Sequence, residues 1–116
     1  MSVVCFVDDL LFVSKIRNIA RSVGIEVEFV PAQSSADRVG NMNPSIVIID
    51  LESAKFKPLD LIAAFKTKTK EEKTLIIGFL SHVNTELFGK AQDAGCRAMP
   101  RSKFLSELSV ILKGAK

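Results

Sequence analysis

Three carboxylates stand at the ends of two apolar runs. Val3-Val4-Cys5-Phe6-Val7 is followed at once by Asp8-Asp9, and Ile46-Val47-Ile48-Ile49 by Asp50. A carboxylate at the end of a buried run is costly unless a counter-charge or hydrogen-bond donors meet it. Two such runs in one small chain point to a shared site. Carboxylates in close company cannot all stay ionised without a counter-charge. Mg²⁺ is the natural one, a hard cation that takes a few carboxylates and keeps several waters, and Asp8, Asp9 and Asp50 are its expected ligands. A carboxylate is also a nucleophile toward phosphorus, giving an acyl phosphate, and that chemistry needs a cation and positioned donors around the phosphoryl oxygens. Ser81 can supply a hydroxyl, and Lys103 or Arg101 a positive charge.

Each of these residues also has a plainer reading. Asp8 and Asp9 suit a helix N-cap pair, favoured by the helix dipole. Asp50 can cap a turn at a strand end, and Ser81 can do the same. Arg101 and Lys103 are then surface charges where a helix begins. His82, the single histidine, reads as a loop residue making one local hydrogen bond, and its role is left open.

Elements that bring the acids together can be read from the apolar pattern. Val3 to Val7, Ile46 to Ile49 and Leu75 to Leu80 are nearly continuous apolar runs, as in strands buried on both faces. Ile25 to Val30 alternates with Glu26 and Glu28, which predicts an edge strand closed by Pro31. Arg97 to Met99 is a fifth, short strand closed by Pro100. Between the strands, Phe12, Ile16, Ile19 and Val23 mark one face of a helix stopped by Gly24. A short helix is expected over Ser34 to Val39, capped by Ser34 or Ser35. Pro58 opens a helix with Leu61, Ile62 and Phe65 inward. Asn84 caps another through Leu87, Phe88 and Ala91, ended by Gly95. Ser102 caps the last, with Phe104, Leu105, Leu108, Ile111 and Leu112 inward.

Strands alternating with helices imply right-handed crossovers and an α/β fold, a five-stranded parallel sheet covered on both sides. With the half-polar strand at an edge and the apolar ones central, the strand order is 2-1-3-4-5. Strands one and three are then neighbours, with the topological switch point between their carboxyl ends. Asp8, Asp9 and Asp50 fall at that point.

Composition bounds the rest. The chain has 116 residues, of which 47% are hydrophobic, enough for one domain with one core over residues 1–116. No apolar run approaches a membrane span, and Asp8 and Asp9 interrupt the N-terminal one, so a signal-peptide pattern is not expected. Cys5 and Cys96 are too few for a disulfide framework. A cytoplasmic protein is expected, with no membrane partner. The net charge of +3 and pI near 9.0 come largely from lysines between Lys66 and Lys73 and in the tail, diluted by Glu71 and Glu72. With no Trp and no Tyr, the chain lacks the basic, aromatic-studded face of a nucleic-acid binder.

In order along the chain, "VVCFVDD", "IVIID", "LIIGFLS" and "AQDAGCRAMPRSKF" resemble the receiver domain of bacterial response regulators, of the single-domain, CheY-like type. The resemblance spans essentially the whole length. It implies a flavodoxin-like three-layer sandwich with Asp50 as phosphoacceptor. It also implies Mg²⁺ held by Asp8, Asp9 and Asp50, a phosphoryl contact from Ser81, and a cation from Lys103 or Arg101. The sequence also departs from the pattern. The family's lysine position falls on Ser102, its proline on Lys103 and its aromatic switch position on Met99, and "LESAKFKPLD" replaces the Met-Pro and glycine after the phosphoacceptor.

Three functions follow as expectations. The first is a stand-alone receiver in a two-component phosphorelay, phosphorylated on Asp50 by a histidine kinase or phosphotransfer protein. Its output would be contact with a downstream protein, since no output domain is expected beyond Lys116. Such a protein is not an enzyme beyond its own phosphorylation and slow dephosphorylation, and self-association into a homodimer is left open. The second is a pseudo-receiver that binds partners without being phosphorylated. The third and weakest is a small Mg²⁺-dependent phosphohydrolase, which lacks a second acid/base group close after Asp50.

Overall fold

A computed structural model describes residues 2–31, 39, 42–68 and 74–114. Its elements, in chain order, are β1 (Val3–Phe6), α1 (Leu10–Ser22), β2 (Val27–Phe29), β3 (Ile46–Asp50), α2 (Pro58–Lys68), β4 (Leu75–Leu80), α3 (Thr85–Asp93), β5 (Arg97–Pro100) and α4 (Arg101–Gly114). All strand pairs are parallel, and the order is β2-β1-β3-β4-β5. The order predicted from the polar alternation of the second strand is the one observed. The short helix expected over Ser34 to Val39, and its Ser34 or Ser35 cap, fall almost wholly outside the described residues.

Strand side chains alternate between the two faces, which gives the sheet two cores. Val4, Phe6, Val47, Ile49, Ile76 and Leu80 pack on one side against Leu61, Ile62 and Phe65 of α2. Cys5, Ile46, Ile48, Ile77, Phe79 and Met99 pack on the other against Phe12 and Ile16 of α1 and Phe104 and Leu108 of α4. On this second side three rings form a column: Phe12 stacks on Phe79 with centroids 4.7 Å apart, and Phe79 on Phe104 at 4.8 Å. The column joins α1, β4 and α4 directly beneath the carboxyl edge of the sheet. Cys5 and Cys96 are buried free thiols, and burial pushes both well above the ordinary thiol range.

Gly24 and Gly95 close their helices with positive φ, 75° and 101°, a conformation that a side chain strains. α3 runs through Leu87, Phe88 and Ala91 as expected and turns Leu87 and Ala91 to the core, leaving Phe88 38% exposed. One local expectation is corrected. The last helix begins at Arg101 rather than after a Ser102 cap, since the chain turns directly out of β5 at Pro100; Ser102 lies inside the first turn.

At Gly78 on β4, a methyl group would stand 2.6 Å from Leu51 Cγ and within 2.8 Å of both its methyls. Leu51 directly follows Asp50, so the missing side chain lets the residue after β3 lie down on β4. Gly89 on α3 has open space around it. The same substitution should therefore act in opposite senses. Gly78→Ala is expected to destabilise by about 1–3 kcal/mol through overpacking, and Gly89→Ala to stabilise by roughly 0.5–1 kcal/mol through helix propensity, both read from urea unfolding midpoints.

Candidate functional site

Strand register assembles the site. Phe6 pairs with Ile49, so Asp50 lies one step beyond the last paired residue of β1; Asp50 itself pairs with Phe79, and Leu80 with Pro100. The residues that follow β1, β3, β4 and β5 therefore leave the sheet at one edge. Those residues are Asp8 and Asp9, Leu51 to Lys55, Ser81 to Asn84, and Arg101.

Asp50 is 7% exposed. Its Oδ1 accepts from the Glu52 N–H at 3.0 Å, and the Ser53 N–H donates to its carbonyl at 3.2 Å, so the acid also closes the turn that leads out of β3. Burial holds its carboxyl above the ordinary aspartate range. The Glu52 N–H and the positive charge of Arg101 pull it back down, and the negative charges of Glu52 and Asp8 add to the rise. Asp8 is met by the loop after β3: Ser53 Oγ stands 3.5 Å from its Oδ1 and Lys55 Nζ 3.6 Å from its Oδ2.

Asp9 turns the other way. It is the N-cap of α1, its Oδ1 accepting from the Leu11 N–H at 2.9 Å and the Phe12 N–H at 3.3 Å. Its charge thus meets the positive end of the helix dipole. The capping alternative read from sequence holds for Asp9, while Asp8 lies close enough for its charge to act on Asp50. Among the described residues, no three His, Cys, Asp or Glu side chains stand together as a metal cage. As placed, Asp8 lies near Lys55 and Asp9 caps the helix, so the three acids do not converge on one point.

The cations divide in the same way. Arg101 Nη2 lies 2.9 Å from Glu52 Oε1, with its guanidinium over the Phe12 ring at 5.9 Å from the centroid. Lys103, two residues further along α4, is turned around the helix to solvent, 61% exposed and 4.0 Å from Glu107 Oε2. At about 100° per residue these two positions lie on nearly opposite sides of the helix. Only Arg101 reaches the site. Ser81 enters through its backbone, its N–H donating to Glu52 Oε1 at 2.7 Å. His82 is exposed and joins no described contact of the site. Met99, at the position the resemblance assigns to an aromatic switch, is buried in the sheet.

Glu52 is the functional residue that the sequence reading missed. Its carboxylate gathers donors from after β4 and from α4, yet in sequence it is one acid in a loop that reads only as a departure from a pattern. Its spacing of two residues from Asp50 is the sole local signal, and its partners Ser81, Asn84 and Arg101 are distant in sequence.

No protein-family model matches the chain, and no curated protein is significantly similar to it. Solved structures are similar. A response regulator from Hahella chejuensis is 15% identical, with 98% of this chain and 93% of that one covered and a TM-score of 0.81. A CheY-like protein (tadZ) from Pseudomonas aeruginosa is 14% identical, with 100% and 99% covered and a TM-score of 0.79. The receiver (REC) domain of RcsB from Salmonella enterica is 16% identical, with 97% and 85% covered and a TM-score of 0.73. At such identities the likeness establishes the fold, which is the CheY-like receiver fold.

The buried charge on Asp50 yields a pH-dependent prediction. Its folded pKa lies above the unfolded value of about 3.9, so the folded state holds this proton more tightly. The stability gained from protonation is fully present below the unfolded value and is lost as pH rises through the folded one. Asp50→Asn keeps an Oδ1 acceptor for the Glu52 N–H and removes the charge. The variant should melt above the parent at pH 7, with the gap closing as pH approaches about 4, as read by scanning calorimetry.

Proposed function

We propose that this chain is a receiver-type signalling module whose output is contact with a protein partner, and that it works as a pseudo-receiver, without phosphoryl turnover on Asp50. The fold and the surviving acidic pair Asp8 and Asp50 support the signalling part of this reading. One observation carries the pseudo-receiver part: the groups the chemistry would draw on are engaged within the chain or turned away from the site. Asp9 caps α1, Arg101 is bound to Glu52, and Lys103 points to solvent on the other side of α4. Acyl-phosphate formation needs a cation at the carboxylates and donors free to receive the phosphoryl oxygens. Partner recognition needs neither.

The placement of Asp50 favours a second reading. It ends a central strand at the switch point beside Asp8, where open parallel sheets bind ligands. In that reading a histidine kinase or phosphotransfer protein delivers a phosphoryl group to Asp50. Asp8 and Asp50 would share Mg²⁺ after Lys55 gives way, and Ser81 and Arg101 would take the phosphoryl oxygens. Neither reading makes the protein an enzyme acting on other molecules.

Intact-mass analysis after incubation with acetyl phosphate or phosphoramidate and Mg²⁺ separates the two. The pseudo-receiver reading expects no adduct and no Mg²⁺-dependent shift in melting temperature. An adduct of one phosphoryl group that disappears in Asp50→Asn would overturn it in favour of the second.

A further inference from the structure

The Glu52 carboxylate is surrounded as a bound oxyanion would be. Its Oε1 accepts from the Ser81 N–H at 2.7 Å and from Arg101 Nη2 at 2.9 Å, and its Oε2 faces Asn84 Nδ2 at 3.3 Å. A backbone amide, a side-chain amide and a guanidinium from two separate segments converge on one anionic group. Charge-assisted bonds of this kind are short and strong compared with neutral ones.

The donors are held in place independently of Glu52. Asn84 caps α3, its Oδ1 accepting from the Leu87 N–H, which leaves its Nδ2 directed outward. The Ser81 N–H leaves the end of a central strand, and Ser81 O accepts from the Asn84 N–H at 3.1 Å. Arg101 begins α4 and rests on the Phe12 ring. The Glu52 side chain is 25% exposed and that of Arg101 44%, so the pair is partly shielded at the protein surface. Compare Lys55, which the same loop sends to Asp8: it is 73% exposed at 3.6 Å, the range in which ion pairs contribute little.

We infer that Ser81, Asn84 and Arg101 form a preorganised oxyanion site that Glu52 occupies in cis, so that the segments after β3, β4 and α4's start are held together by an internal ligand in place of a phosphate-class anion. The site and its occupant stand whichever reading of Asp50 is right, because no covalent step is involved. Two consequences follow. External oxyanions compete with a tethered carboxylate and bind the parent weakly. Removing the carboxylate opens a site whose donors remain in position.

The test is an NMR titration of the full chain with inorganic phosphate, reading the Ser81 amide, in an Asp50→Asn background so that covalent phosphorylation cannot contribute. If Glu52 fills the site in at least about nine molecules in ten, then Glu52→Ala should bind phosphate at least about tenfold more tightly than the parent. Adding Arg101→Ala to Glu52→Ala should abolish the gain. Glu52→Gln, which keeps an acceptor for the Ser81 N–H and so preserves the folded loop, should fall between parent and Glu52→Ala. It decides the matter if the alanine variant is unfolded. The inference is overturned if the folded Glu52 variants bind phosphate no more tightly than the parent, or if Arg101→Ala leaves their affinity unchanged.

Discussion

Negative charge crowded at the end of a buried strand is the constraint from which the upper edge of this molecule is built. Asp8, Asp50 and Glu52 fall within reach of one another because three parallel strands end at the same level. In water their repulsion would be screened within about 10 Å; with Asp50 buried at the strand end it is screened less. The chain answers with separate devices. The Glu52 N–H turns onto the Asp50 carboxylate, an arginine and a strand-end amide meet Glu52, and a lysine lies near Asp8. Asp9 is removed from the problem altogether by the first turn of α1. The conformation of the loop after β3 follows from how these charges are partnered, against donors that the cap of α3 and the start of α4 already hold in place.

This division of labour distinguishes the site from a simple acidic pocket. Asp9 sits at a helix cap, Asp50 in a turn and Asp8 near a lysine, so the three do not stand together in one cage. Position along a helix matters as much as composition here. Arg101 and Lys103 are both basic and two residues apart, yet the helical turn sends one into the site and the other to Glu107.

The sheet was legible in the sequence because it depends on burial alone. Continuous apolar runs belong in the centre, and Glu26 and Glu28 push their strand to the edge; strand order and the convergence of Asp8 with Asp50 follow from that. The helix ends at Gly24 and Gly95 and the cap at Asn84 were legible too, because each rests on a local backbone requirement. What could not be read was which way a polar side chain points once several partners compete for it. Asp9 had a helix and a cage to choose between. Lys103 depended on a helix beginning at Arg101 instead of after Ser102. Glu52 showed no periodic pattern, and its role exists only through Ser81, Asn84 and Arg101, which are distant in sequence.

The column of Phe12, Phe79 and Phe104 passes under this edge, and Arg101 rests on its uppermost ring. The chain contains neither tryptophan nor tyrosine, so the protein is almost dark in the near ultraviolet. An indole introduced at position 12, where the native ring is 8% exposed, would be the only strong fluorophore in the molecule, lying against the guanidinium of Arg101. Its emission would report on that one ion pair without background from any other part of the fold.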